Sequence, residues 1–93
     1  MSYRAELERL ATLDADTIDR VCAAPPLAAD LIEGAVDDCI DFDERADEYL
    51  LSGDAGAAAF CRQEAAAWRA TVVVLRAIAA APSDVVVRVE GVA

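Results

Sequence analysis

The chain contains no histidine and no lysine; its eight basic residues are all arginine, against eighteen Asp and Glu. Without histidine, the usual general base of nucleophilic catalysis is missing, and so is the Glu-x-x-His pair of helical di-metal sites. The four glycines form no phosphate-cradling pattern. Hydrophobic runs are short: the most apolar, residues 70–81, is interrupted by Arg76 and falls well below the ~20 residues a membrane span needs. The first ten residues, MSYRAELERL, have neither an apolar core nor a small-residue cleavage site, so no signal peptide is expected. Three cysteines, Cys22, Cys39 and Cys61, are an odd number among mostly apolar neighbours, which suits buried free thiols in a reducing cytoplasm.

Ninety-three residues make a single domain, 1–93, with a thin stability margin. Hydrophobic residues make up 57% of the chain, yet 22 of them are alanine, which favours helix while contributing little buried area. A helical protein that closes part of its core by forming a homodimer is therefore expected. The net charge of −10 argues against direct binding to nucleic acid or anionic lipid, since both would repel it.

Residues 25–51, PPLAADLIEGAVDDCIDFDERADEYLL, dominate the pattern. At about 100° per residue, Asp30, Glu33, Asp37, Asp41, Glu44 and Glu48 fall in one ridge roughly 80° wide. Leu31, Ile32, Ala35, Cys39, Phe42, Ala46, Tyr49 and Leu50 fall opposite, the mark of an amphipathic helix with an acidic solvent side. Acids spaced three and four apart repel by a few tenths of a kcal/mol per pair. Arg45 is the obvious local relief. Three readings of the acidity stand: a solvated surface of a high-salt or GC-rich organism, a surface that meets a basic protein patch, or a divalent-metal site. The third is the weakest, because the acids point away from the apolar seam. No resident metal or cofactor is expected.

The remaining elements follow from caps and breakers. Ser2 caps a first helix to about Thr12, and Asp14 or Asp16 starts a short second one through about Ala23, with Leu13 as a hydrophobic staple. These short helices occupy residues 1–24. Pro25 ends the second, and Pro26 suits the first turn of the long acidic helix. Ser52-Gly53 closes that helix and Asp54 caps the next, from about Ala55 to Ala81. So short a turn makes residues 26–81 an antiparallel hairpin. Pairing across it sets Ala46 against Phe60, Cys39 against Trp68 and Ile32 against Val74 and Leu75, small against large at the first two levels. No internal repeat occurs, and these helices are too long for a tetratricopeptide unit.

The last helix is apolar nearly all round. Ala57, Phe60, Cys61, Ala65, Trp68, Val72, Leu75 and Ile78 lie on its inner face; Ala59, Ala66, Ala70, Val73 and Ala77 lie on its outer one. Such a helix is expected to be buried nearly all round. The N-terminal helices, a second copy, or both would cover it. Arg62, Arg69 and Arg76 recur every seven residues along one edge, as salt-bridge partners of a neighbouring helix or as a partner-binding stripe. Glu64 interrupts the apolar face, either at an edge with its head in water or as a metal ligand or proton-binding group. Residues 84–92, after Pro82-Ser83, alternate Val85, Val87 and Val89 with Val86, Arg88 and Glu90, and read as one strand or an extended tail. A lone strand pairs with its copy, adds to a partner's sheet, or stays loose.

The expected fold is all-α: an antiparallel long-helix hairpin, one or two short N-terminal helices, and a C-terminal strand or tail. The expected function is non-catalytic binding of a basic protein surface through Asp30, Glu33, Asp37, Asp41, Glu44 and Glu48, in one form as a nucleic-acid-mimicking inhibitor. The alternative is a structural homo-oligomer or assembly subunit, joined through Ala66, Ala70, Val73, Ala77, Val85, Val87 and Val89.

Overall fold

The computed structural model describes residues 2–81, which form four helices: α1 (Tyr3–Leu10), α2 (Ala15–Ala23), α3 (Leu27–Leu51) and α4 (Ala55–Ala80). The expected strand or tail at 84–92 lies outside the described residues, and so do Val85, Val87 and Val89.

Each helix start is set by a short polar side chain where one is present. Ser2 Oγ accepts from the Ala5 N–H, Asp14 Oδ1 from the Thr17 N–H at 2.8 Å, and Asp54 Oδ1 from the Ala57 N–H at 3.0 Å. These side chains satisfy donors that the first turn leaves without intrahelical partners. α3 has no such cap; Pro26 stands just before its first residue, and successive i→i+3 bonds from Leu27, Ala28 and Ala29 wind the chain into it. α1 ends two residues, about half a turn, earlier than its sequence suggests. Ala11 takes the left-handed conformation at φ 57° and ends the helix at Leu10, which turns Thr12 inward.

The α3–α4 turn forms as Ser52, Gly53 and Asp54 dictate. Gly53 takes φ 87°, where a side chain would be strained, and the Asp54 N–H reaches back to the Tyr49 carbonyl at 2.8 Å. Each arm is about 38 Å long at 1.5 Å per residue. The two lie antiparallel with a narrow seam: Ala35, Ala46, Ala58, Cys61 and Ala65 are buried along it. Cys39 donates its thiol to the Ala65 carbonyl at 3.4 Å, less than a turn from the expected level with Trp68. The flank is laced by Arg62–Asp47 at 2.9 Å and Arg69–Asp43 at 3.0 Å, so two of the three heptad-spaced arginines are helix-to-helix ion pairs. Arg76 has none among the described residues.

α1 and α2 double back on the open end of the hairpin. Leu7, Ile18 and Val21 pack with Ala28, Ala35, Val72, Leu75 and Ile78 to form the main core. Leu13, the expected staple, is half-buried against the same cluster. The turn between α1 and α2 is fastened to α4 by a bond between the hydroxyls of Thr12 and Thr71, while Thr71 donates to the Ala67 carbonyl at 2.9 Å. Both hydroxyls are thereby satisfied in a position fully closed to water at Thr71. Beyond Thr71 toward the loop, the cover stops.

Within the single chain, one expectation is met only in part and another is overturned. The chain's own helices leave much of α4 uncovered: Phe60 is 59% exposed where the cover has stopped, Val73 is 64% exposed on the outer face beside α1, and Ala59 and Ala66 also face solvent. Nor does Phe60 fill the seam opposite Ala46. Ala46 packs with Ala58 and Cys61, and Phe42 closes over them. Tyr49 and Leu50, placed on the inner face by the sequence pattern, are likewise exposed. The apolar arc is wider than the seam of two helices, and only a third layer can bury the excess.

Candidate functional site

The six ridge acids of α3, Asp30, Glu33, Asp37, Asp41, Glu44 and Glu48, are all exposed. They share the side of α3 opposite its buried residues Ala28, Ala35 and Ala46, along about 27 Å of helix. Among the described residues, Asp41 is the one ridge acid held in an ion pair, with Arg45 at 2.9 Å. Arg45 also lies over the Phe42 ring, 5.4 Å from its centroid, so its charge is engaged twice. The flank acids Asp43 and Asp47 are taken by Arg69 and Arg62. The ridge therefore presents a line of carboxylates whose countercharge is not supplied by the helices packed beside it.

Of the expected oligomer residues, Ala66 and Val73 are exposed and Ala70 and Ala77 half-buried. Val73 and Ala77 line a shallow groove with Tyr3, Glu6 and Val74, where the start of α1 rests on α4. Glu64 is half-buried on α4, in the half that α1 does not reach. Among the described residues, no group of three or more His, Cys, Asp or Glu side chains is placed to hold a metal ion. Cys61 is buried, and Cys22 and Cys39 are half-buried; all three are free thiols. The carboxyl of Asp14 is displaced by its capping bonds. The Thr17 hydroxyl and then the Thr17 backbone N–H hold it below the ordinary aspartate value, as its capping role requires. This is a structural group, remote from the ridge.

The described residues thus place a row of carboxylates on α3 and apolar side chains near the α3–α4 turn at the surface. A family model covers residues 1–81, a stretch that takes in all four helices. The chain belongs to the TY-Chap C-terminal domain family. No curated protein and no solved structure matches it. Membership marks the domain as a chaperone-like helical protein-interaction module. No helix among the described residues is long and apolar enough to cross a membrane.

The exposed aromatics are what sequence reasoning missed. Tyr49 and Phe60 sit at core positions of the helical pattern, and periodicity alone assigns them to the interior. Their signal was the length mismatch: α1 and α2, of eight and nine residues, cannot cover arms of 25 and 26.

Proposed function

We infer that the domain is a non-catalytic, cytoplasmic module that binds a protein partner stoichiometrically, holding a basic surface of that partner against the α3 ridge. The observation behind this reading is the ridge itself: six exposed carboxylates on one side of a single rigid helix, one of them paired. Repulsion along such a row weakens the helix, and a Lys/Arg-rich partner removes that penalty on binding while being steered to the site from a distance. In its most specific form the row imitates a nucleic-acid backbone and occupies an enzyme's basic groove. In its broader form it shields basic segments of a partner from aggregation, in keeping with the chaperone-type family.

The test is suppression of aggregation of a basic denatured client, such as reduced lysozyme, followed by light scattering at low and at physiological salt. The Asp37→Asn/Asp41→Asn/Glu44→Gln variant should lose the protection while folding as well as or better than the parent. Equal protection by that variant at physiological salt would sink the ridge reading.

A homodimer joined through the α4 outer face is the second reading, favoured by the 64% exposure of Val73 beside Tyr3. Val73→Glu should then split the oligomer in sedimentation experiments, and ridge variants should leave it whole.

A further inference from the structure

The trough that α1 and α2 fill at one end of the hairpin continues to the other, where no described helix covers it. On α4 the strip Phe60, Glu64, Ala67, Thr71, Leu75 and Ile78 advances by threes and fours, so it is one continuous face. Its lower part is sealed: Thr71 and Leu75 are 0% exposed and Ile78 6%. Its upper part is open, with Phe60 at 59%. α3 repeats the pattern on the facing side. Leu31 packs against the main core, whereas Tyr49, on the same helical phase, is 40% exposed, with Phe42 half-buried between them. The changeover on α4 comes where the Thr12–Thr71 bond marks the α1–α2 turn.

Below that point the trough already shows what it accepts: two short amphipathic helices, anchored by Leu7, Ile18 and Val21. Above it the face is lined by Phe42, Tyr49 and Phe60, with the carboxylates of Asp38, exposed on α3, and Glu64, half-buried on α4, set among them. The cation on the α3 side, Arg45, is held by Asp41 and laid over Phe42. A chain of net charge −10 disfavours a second copy of itself as occupant. The same carboxylates favour an occupant that carries Lys or Arg beside its apolar face.

We propose that the loop half of the hairpin, lined by Phe42, Tyr49 and Phe60 around Glu64, is a docking groove for a basic amphipathic helix of a partner protein, seated in line with α1 and α2. Binding follows the helix-in-groove mode, with apolar anchors at i, i+3/i+4 and i+7 reaching the aromatic floor. The groove lies on a different side of α3 from the acidic ridge. The proposal shares with the ridge reading only the premise that this is a protein-binding domain, and it stands or falls separately.

The probe is a labelled Leu/Lys peptide of about four helical turns, leucines on one face. A Leu/Glu peptide of the same pattern is the control, and binding is read by fluorescence anisotropy. The Leu/Lys peptide should bind and gain helicity, and the Leu/Glu peptide should not bind. Phe60→Ala/Tyr49→Ala should weaken binding by about tenfold or more, with the melting temperature and helical circular dichroism of the protein retained. Asp30→Asn/Glu33→Gln/Asp37→Asn, which alters the ridge at a distance from the floor, should change affinity by less than about threefold. Four results would overturn the proposal: unchanged binding by the aromatic double variant, equal binding of the Leu/Glu peptide, loss of binding in the ridge variant alone, or a dimer that Phe60→Ala dissociates. The third would leave the ridge as the binding surface, and the fourth would make the occupant a second copy.

Discussion

The two ends of the hairpin use one sequence pattern to different ends. Near the chain's start, α3 and α4 are roofed by α1 and α2, and Leu7, Val21, Thr71 and Leu75 are closed to water. Near the α3–α4 turn the same pattern of apolar residues on both arms has no roof. There the seam is held by Ala46, Ala58 and Cys61 under Phe42, while Tyr49, Leu51 and Phe60 stand in solvent. A two-helix contact buries one stripe of each helix, and a wider stripe needs a third element. The roofed end therefore holds the larger core, and the bare end leaves aromatic surface in solvent.

Truncation at matched apolar sites breaks this comparison most sharply. Leu75→Ala at the roofed end should cost about 2–5 kcal/mol in chemical or thermal unfolding, through lost transfer energy and a cavity. Phe60→Ala at the bare end should cost within about 0.5 kcal/mol, as for a surface site. Similar losses at both would mean that the bare end is covered in solution. Next in size is Thr71→Val, which removes the fastening at the boundary between the ends. It should lower stability by about 1 kcal/mol, or roughly 4–8 °C in a domain of this size. Amide exchange should then rise first in α1 and around Thr12, since the roof lifts before the hairpin parts.

Gly34→Ala separates packing from helix propensity. Gly34 lies on the exposed side of α3 opposite the roofed seam, and a Cβ there meets nothing within 4 Å. The change should stabilise by about 0.5–1 kcal/mol, its added methyl standing at the edge of the acidic ridge without altering any charge. A destabilisation would show that the open side of α3 is occupied.

The smallest effect concerns acid. Asp14 is held below the ordinary aspartate value in the folded state by Thr17. Its contribution is fully present above the unfolded value, near 4, and is lost as pH falls through the lower folded one. Below about pH 4, the α2 start at the roofed end should fray before the α3–α4 turn does, as followed by exchange at Thr17 and Ile18. Asp14→Asn retains an acceptor for the cap and should flatten that dependence.

Much of this architecture is legible in the chain. Ser2, Asp14 and Asp54 mark helix starts because short polar side chains near the backbone satisfy its first-turn donors. Gly53 marks the turn because it tolerates φ 87°. The acidic side of α3 follows from spacing alone, and its exposure agrees. The position of Phe60 was not legible. At helical spacing it is indistinguishable from Leu75, and only the reach of α1 decides which of the two is covered. The end of α1 was also hidden, because alanine has no preference for the left-handed conformation that Ala11 adopts.

The sequence by itself determined which segments are helical, where they turn, and which side of α3 carries charge, because these depend on neighbours within a few residues. Tertiary structure alone decided which apolar residues are interior. Burial depends on whether another element arrives, and two helices of eight and nine residues reach only part of a hairpin whose arms run to 25 and 26. The aromatic floor is left bare for want of length in its cover.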